Sequence, residues 1–281
     1  MEYNRIFNFS AGPSMLPVEV LESARDNTLN YEGCGMSVME MSHRSKVYDN
    51  IIQEAEKGLR KVMDIPDNYK VIFMQGGATL QFACVPMNLM NKNHKADYIV
   101  TGSFSGKAAK EAEKYGKVNI AWTGKSINFS RIPRQEELKL DPEADYVHIC
   151  FNNTIYGSCW DYIPDTGNVP LVADLSSCIL SRPIDVSKFA LIYAGAQKNV
   201  APAGLTIVIV REDLLGNVSP ITPTMCDYTI NAEAGSMHNT PPCWCIYICK
   251  LVMDWILKTG GLKEREQVNL RKAEILYDCL D

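Results

Sequence analysis

Short apolar runs alternate with longer amphipathic stretches along most of this 281-residue chain. The runs Tyr69–Met74, Tyr98–Thr101, Val118–Ala121, Tyr146–Cys150, Leu171–Ala173, Leu191–Ala194 and Leu205–Val210 read as strands. Most are almost unbroken in Val, Ile, Leu, Ala and aromatics, as suits strands covered on both faces. Between the early runs, Leu80–Met90 and Lys107–Tyr115 carry helical spacing, which is the βαβ rhythm of a largely parallel sheet. Two helices are expected before the first strand. Pro17–Tyr31 would turn Val18, Val20, Leu21, Ala24 and Leu29 inward, and Val47–Val62 would do so with Ile51, Ile52, Ala55 and Leu59. The last third is helical. Pro241-Pro242 suits the first turn of a helix running through Lys258, and Gly260-Gly261 ends it. Leu262–Asp281 then keeps a helical pattern to the final residue, with no capping glycine and with Asp278 and Asp281 where the helix dipole favours cations. That ending reads as an interrupted sequence.

The expected architecture is therefore α/β, a mainly parallel sheet with helices on both faces. Residues 1–15 would form an N-terminal arm, 16–261 one large domain, and 262–281 the start of a helix leading onward. Composition sharpens this only by exclusion. Hydrophobic residues make up 46% and charged residues 22%, with a net charge of −5, so no basic footprint for nucleic acid or an anionic membrane is expected. No apolar run is long enough to suggest a membrane span, and the first residues lack the pattern of a signal peptide. Ten cysteines lie scattered through mostly apolar segments, which suits reduced buried thiols and a cytoplasmic setting. Cys243, Cys245 and Cys249 cluster at a spacing that does not converge on a zinc ion, so no metal is expected.

Candidate chemistry concentrates just after the strands, where open parallel sheets collect ligands. Gln75-Gly76-Gly77-Ala78-Thr79 follows the first strand and opens a helix, so backbone N–H groups there can approach an anion. Asp174-Leu175-Ser176-Ser177 follows the run at 171–173, and Gly195-Ala196-Gln197-Lys198-Asn199 follows the run at 191–194. An acid and a lysine at neighbouring strand ends are what pyridoxal 5′-phosphate (PLP) chemistry needs. The lysine holds the cofactor as a Schiff base, and the acid keeps its pyridine nitrogen protonated. Each residue alone has a plainer reading: a solvated loop lysine, a helix-capping aspartate, and local turn formers at Thr154 and Ser176. His148, inside a strand pattern, reads as structural.

Several stretches together resemble the phosphoserine aminotransferases. They are Asn8-Phe9-Ser10-Ala11-Gly12-Pro13, Met36 to Ser45 (with Ser42-His43-Arg44), Gln75-Gly76-Gly77-Ala78, Ala173-Asp174-Leu175-Ser176-Ser177, Tyr193 to Asn199, and Asn239-Thr240-Pro241-Pro242. The resemblance implies a class V, fold-type-I PLP-dependent aminotransferase, a homodimer with shared active sites. It would move an amino group from L-glutamate to 3-phosphohydroxypyruvate, in serine biosynthesis. By that likeness Lys198 is the Schiff-base lysine and Asp174 the partner of the pyridine nitrogen. Ala78, Thr79 and Gln197 would hold the cofactor phosphate, joined by Asn239 and Thr240 from the neighbouring subunit. Thr154 matches a hydroxyl near the ring oxygen, while His43 and Arg44 match substrate-binding positions, a guanidinium suiting carboxylate or phosphate. Phe104 stands where the family usually has tryptophan, so it would stack with less area.

The likeness departs at Asn152-Asn153-Thr154, where the family commonly has Asn-Glu-Thr. It departs most at the end, where the family continues into a small C-terminal domain carrying further substrate-binding arginines. Two other readings stand beside the leading one. One is a different class V aminotransferase, for instance one acting on alanine and glyoxylate; the other is a shortened homologue that binds PLP with little or no activity. A cysteine desulfurase is disfavoured because Gln197, not histidine, precedes Lys198.

Overall fold

The computed structural model describes residues 3–280; Met1, Glu2 and Asp281, the ends of the expected arm and last helix, lie outside them. In chain order the regular elements are α1 (Val18–Asp26), α2 (Lys46–Met63), β1 (Tyr69–Met74), α3 (Gly77–Leu89), β2 (Lys95–Val100), α4 (Ser103–Ala112), β3 (Lys117–Thr123), β4 (Val147–Cys150), β5 (Leu171–Asp174), β6 (Leu191–Gly195), β7 (Thr206–Arg211), α5 (Tyr228–Glu233), α6 (Cys243–Lys258) and α7 (Gly261–Leu280). The strands form one sheet in the order β1-β7-β6-β5-β4-β2-β3. β2 to β6 are parallel where they pair, and β7 runs antiparallel between β6 and β1. The mainly parallel sheet expected from the apolar runs is therefore present.

The alternation of side chains along each strand divides the core. Val71, Phe73, Ile149, Ala173, Ile192, Ala194 and Ile207 face one layer, which includes α2 and α6. Ile72, Met74, Tyr146, Val172, Tyr193 and Val208 face the other, which includes α3 and α4. Both faces are thus dry, which explains why these strands lack the polar alternation of a half-exposed sheet.

The first helix corrects the sequence reading. It stops at Asp26, five residues short of Tyr31, and Leu29 is 87% exposed instead of facing the core. Polar side chains compete for the backbone here: Asn27 Oδ1 accepts the Glu32 N–H at 3.0 Å and Asn30 Oδ1 accepts the Gly35 N–H at 2.7 Å. Only Val20 and Ala24 of the expected apolar side are buried on α1. By contrast α2 buries Ile51, Ile52, Ala55 and Leu59 as the spacing predicts, and Ser45 caps it by accepting the Tyr48 N–H at 3.2 Å. No described helix is long and apolar enough to cross a membrane.

Candidate active site

The sheet's topology delivers Asp174 and Lys198 to the same edge. β5 and β6 are parallel neighbours, with Asp174 the last residue of β5 opposite Tyr193. β6 ends at Gly195, and the chain turns through Ala196 and Gln197 to Lys198. The Lys198 Nζ donates to Thr154 Oγ1 at 2.5 Å and stands 5.4 Å from the centre of the Phe104 ring. Strands β2, β4, β5 and β6 therefore each send a residue to one place: Phe104 from the helix after β2, Thr154 from the loop after β4, Asp174, and Lys198.

Asp174 is 5% exposed. Burial pushes its carboxyl pKa up, while hydrogen bonds from Ser176 and the charge of Lys198 pull it back. Its Oδ1 accepts from Ser176 N at 2.9 Å and from Ser176 Oγ at 2.6 Å. Below it, His148 Nε2 and Tyr193 Oη are 2.9 Å apart, and the His148 ring stacks on Tyr98 with centroids 4.8 Å apart. Burial lowers the His148 pKa to about 3, so the ring is neutral, and its structural reading from sequence holds.

The loop bearing Thr154 is fixed by residues whose part the sequence does not announce. Asn152 Nδ2 donates to Ser177 Oγ at 2.7 Å, tying the loop to the segment after Asp174. Asn153, at the family's usual glutamate position, is buried; its Oδ1 accepts from Thr101 Oγ1 at 3.1 Å and its Nδ2 donates to Ser158 Oγ at 3.1 Å. A neutral amide serves both bonds without burying a charge, which is a physical reason the departure is tolerated.

An anion cradle sits beside this cluster. Gly76, with φ of 86°, precedes α3, and no side chain caps that helix, so its first N–H groups face outward at Ala78 and Thr79. The approach between cradle and lysine turn depends on Gly195. A Cβ there would come 2.8 Å from Gln197 Oε1 and 3.5 Å from Ala78 N. The missing side chain leaves room between α3's N-terminus and the Gln197 amide, the space a phosphate needs. Gly12 does the same for the lysine: its Cβ would press on Lys198 Cγ at 2.8 Å, so the N-terminal arm lies against the lysine stem. Ser14 fastens that arm through its N–H to Gln197 O at 3.0 Å and its hydroxyl to Lys198 O. Donor groups for a phosphate, a ring to stack on, a buried acid and a lysine thus fit PLP.

Other expected site residues lie elsewhere on the chain. His43 and Arg44 sit in the turn before α2, and His43 Nε2 is buried with no hydrogen-bond partner among the described residues. Asn239 and Thr240 are exposed, with Gln75 Nε2 donating to Thr240 O at 3.0 Å, on the side of the glycine turn. A cleft of about 340 Å³ touches Lys198 and is lined also by Ser14, Trp255, Arg265 and Lys272, but not by Asp174, Thr154 or Phe104. The convergence of side chains on Lys198 locates the chemistry better than this cleft does.

Comparison with known proteins agrees with that geometry. The family described as aminotransferase class-V matches residues 6–281. Phosphoserine aminotransferase 1, chloroplastic, of Arabidopsis thaliana is 53% identical over 277 residues, 99% of this chain and 64% of its own length. The phosphoserine aminotransferase of Acidithiobacillus ferrooxidans is 53% identical over 276 residues, 98% of this chain and 76% of its own. Among solved structures, phosphoserine aminotransferase from Bacillus circulans subsp. alkalophilus superposes with a TM-score of 0.95 at 45% identity, over 98% of this chain and 76% of that one. The PLP-bound enzyme of Trichomonas vaginalis gives 0.93 at 38% identity, over 98% and 77%. This chain thus spans about two thirds to three quarters of its relatives' lengths, and it belongs to the class-V aminotransferases, within the phosphoserine aminotransferase family.

Proposed function

We propose that this chain is the cofactor-binding part of a phosphoserine aminotransferase, transferring an amino group from L-glutamate to 3-phosphohydroxypyruvate. The observation that carries the reading is the meeting of Lys198 Nζ, Thr154 Oγ1 and the Phe104 ring beside the buried Asp174. Held there by Lys198, PLP would supply an electron sink for the α-carbon of an amino acid.

The chain's own residues do the rest. Lys198 would anchor the cofactor, and its amine is placed to carry a proton at the substrate's α-carbon. Thr154 holds Nζ on the cofactor side of the turn. Asp174 stabilises a protonated pyridine nitrogen, the pairing that offsets the cost of its own burial. Phe104 covers the ring with less area than an indole would. The N–H groups at Ala78 and Thr79, with Gln197, hold phosphate at a helix N-terminus. His43 and Arg44 bind substrate anions, and Asn239 and Thr240 reach the phosphate of a partner subunit in a homodimer. The residues up to 15 are the arm, whose Gly12 and Ser14 lie against Lys198, 16–261 are the cofactor domain, and the helix at 262–280 follows it. Ten free cysteines suit a reducing compartment such as the cytoplasm.

Purified protein with PLP is expected to show the visible absorbance band of lysine-bound cofactor, lost in Lys198→Ala. With glutamate as donor, 3-phosphohydroxypyruvate is expected to outpace glyoxylate as acceptor. Absence of the band in the wild type defeats the PLP assignment; a band with preferred turnover of glyoxylate defeats the substrate assignment alone.

A further inference from the structure

The hydroxyl of Ser176 joins the two halves of the site. Its Oγ accepts the Gly195 N–H at 3.0 Å, three residues before Lys198, and lies 2.6 Å from Asp174 Oδ1. Because the Gly195 amide is only a donor, the hydroxyl's single proton is directed at the carboxylate. Oδ1 also receives the Ser176 N–H at 2.9 Å, so this oxygen has two donors from one residue. The phenol of Tyr193 also faces this carboxylate. Ser176 is 6% exposed, so water does not compete for these bonds.

We propose that Ser176 is a positioning residue: by tying Asp174 Oδ1 to the strand that delivers Lys198, it sets the orientation of the carboxylate toward the pyridine nitrogen. The inference rests on the PLP reading and adds a role to a residue that sequence alone reads as a turn former. The two roles separate physically. The turn depends on the backbone bond from Ser176 N, which Ser176→Ala keeps. The bridge from Gly195 to Asp174 depends on the hydroxyl, which Ser176→Ala removes. Around Asp174 the titratable or charged groups are Lys198, Tyr193, Cys150 and Cys178. Burial pushes the phenol and both thiols up, so they are neutral near pH 7, and the Ser176 hydroxyl is the donor that the substitution deletes.

The test uses two readouts. In the cofactor-free protein, the Asp174 carboxyl carbon is followed by NMR against pH, with Asp174→Asn to assign it. Ser176→Ala is expected to move its titration upward, since a hydrogen bond to the ionised form is lost. PLP binding, followed by tryptophan fluorescence, is expected to weaken about tenfold, the ordinary effect of losing a hydrogen bond to a charged group. Ser176→Thr, which keeps the hydroxyl, is expected to restore both. Should the alanine variant fail to fold, Ser176→Cys replaces it, with the same direction expected because a thiol is a weaker donor. An unchanged Asp174 titration together with unchanged PLP affinity overturns the positioning role. Absence of PLP binding by the wild type sinks the parent reading instead, while the NMR titration still decides whether Ser176 governs the acid.

Discussion

A carboxyl group at the bottom of a dry pocket sets the character of this site. Asp174 is held against its burial by Ser176 and Lys198, and its pKa is raised because the ionised form loses water. In linkage terms a raised pKa makes the folded apo protein lose stability as pH climbs through that value. We therefore expect Asp174→Asn to raise the melting temperature of the apo protein at pH 8, by an amount that shrinks as pH falls toward the ordinary carboxylate range at about 4, while PLP binding weakens at least tenfold. Thermal melts without cofactor at the two pH values check the sign. His148 works in the opposite sense. Its pKa falls to about 3, so the folded state excludes a proton that the unfolded chain takes up below about 6.5. Its contribution is intact above pH 6.5 and is lost as pH falls toward 3. His148→Gln keeps a partner for Tyr193 and is expected to flatten the acid loss by up to ~1.4 kcal/mol per pH unit in that window. Denaturant titrations at pH 4, 5 and 7 measure it. At this scale the sequence shows residue types at strand ends, which is why Lys198 and Asp174 can be picked out. The positions of Ser176, Asn152 and Asn153 cannot be picked out this way. Serines and asparagines at such places ordinarily form local turns, and here each also has a partner 19 to 52 residues away.

Elements were legible where burial is two-sided and continuous. Each strand expected from an apolar run is present; all but the edge strand β3, whose burial is mixed, are largely covered on both faces and have little room for polar interruption. The short α5 was not foreseen, since its six residues are too few for a helical period to emerge. Its start is a local device instead: Asp227 Oδ1 accepts the Thr229 N–H at 2.8 Å. The pair of α2 and α6 shows a contact that propensity alone would misjudge. Gly58 lies inside α2, where alanine normally stabilises by about 1 kcal/mol. A Cβ there would meet Met253 Cβ at 2.9 Å, an atom fixed to the α6 backbone. Overpacking of this sort costs about 1–3 kcal/mol, so Gly58→Ala is expected to be a net loss of about 1 kcal/mol. A lowered urea midpoint at unchanged slope is the outcome that checks it; a raised midpoint would mean the helices part freely.

For the whole molecule, the relevant question is which residues share a site across copies. Asn239 and Thr240 are exposed, with Thr240 O bonded to Gln75 beside the glycine turn. If sites are shared, mixing Lys198→Ala subunits with Asn239→Ala, Thr240→Ala subunits is expected to regenerate one intact site per mixed dimer. The visible band of bound PLP should then return to about a quarter of the wild-type amplitude in an equal mixture, as random pairing gives half mixed dimers with one good site each. No recovery on mixing means that each chain builds its site alone.

The place of β7 in the sheet has a consequence during synthesis. Among the described strands β1 pairs only with β7, although 131 residues lie between Met74 and Thr206, and β7 is the last strand made. A growing chain that has not yet produced residue 211 carries β1, and the glycine turn that follows it, with neither edge of the strand bonded. The emerging polypeptide must shield that apolar strand until its latest-made partner slots between it and β6. The glycine turn, encoded before residue 80, and the turns bearing Asp174 and Lys198, encoded after residue 170, are joined across the sheet by this final insertion.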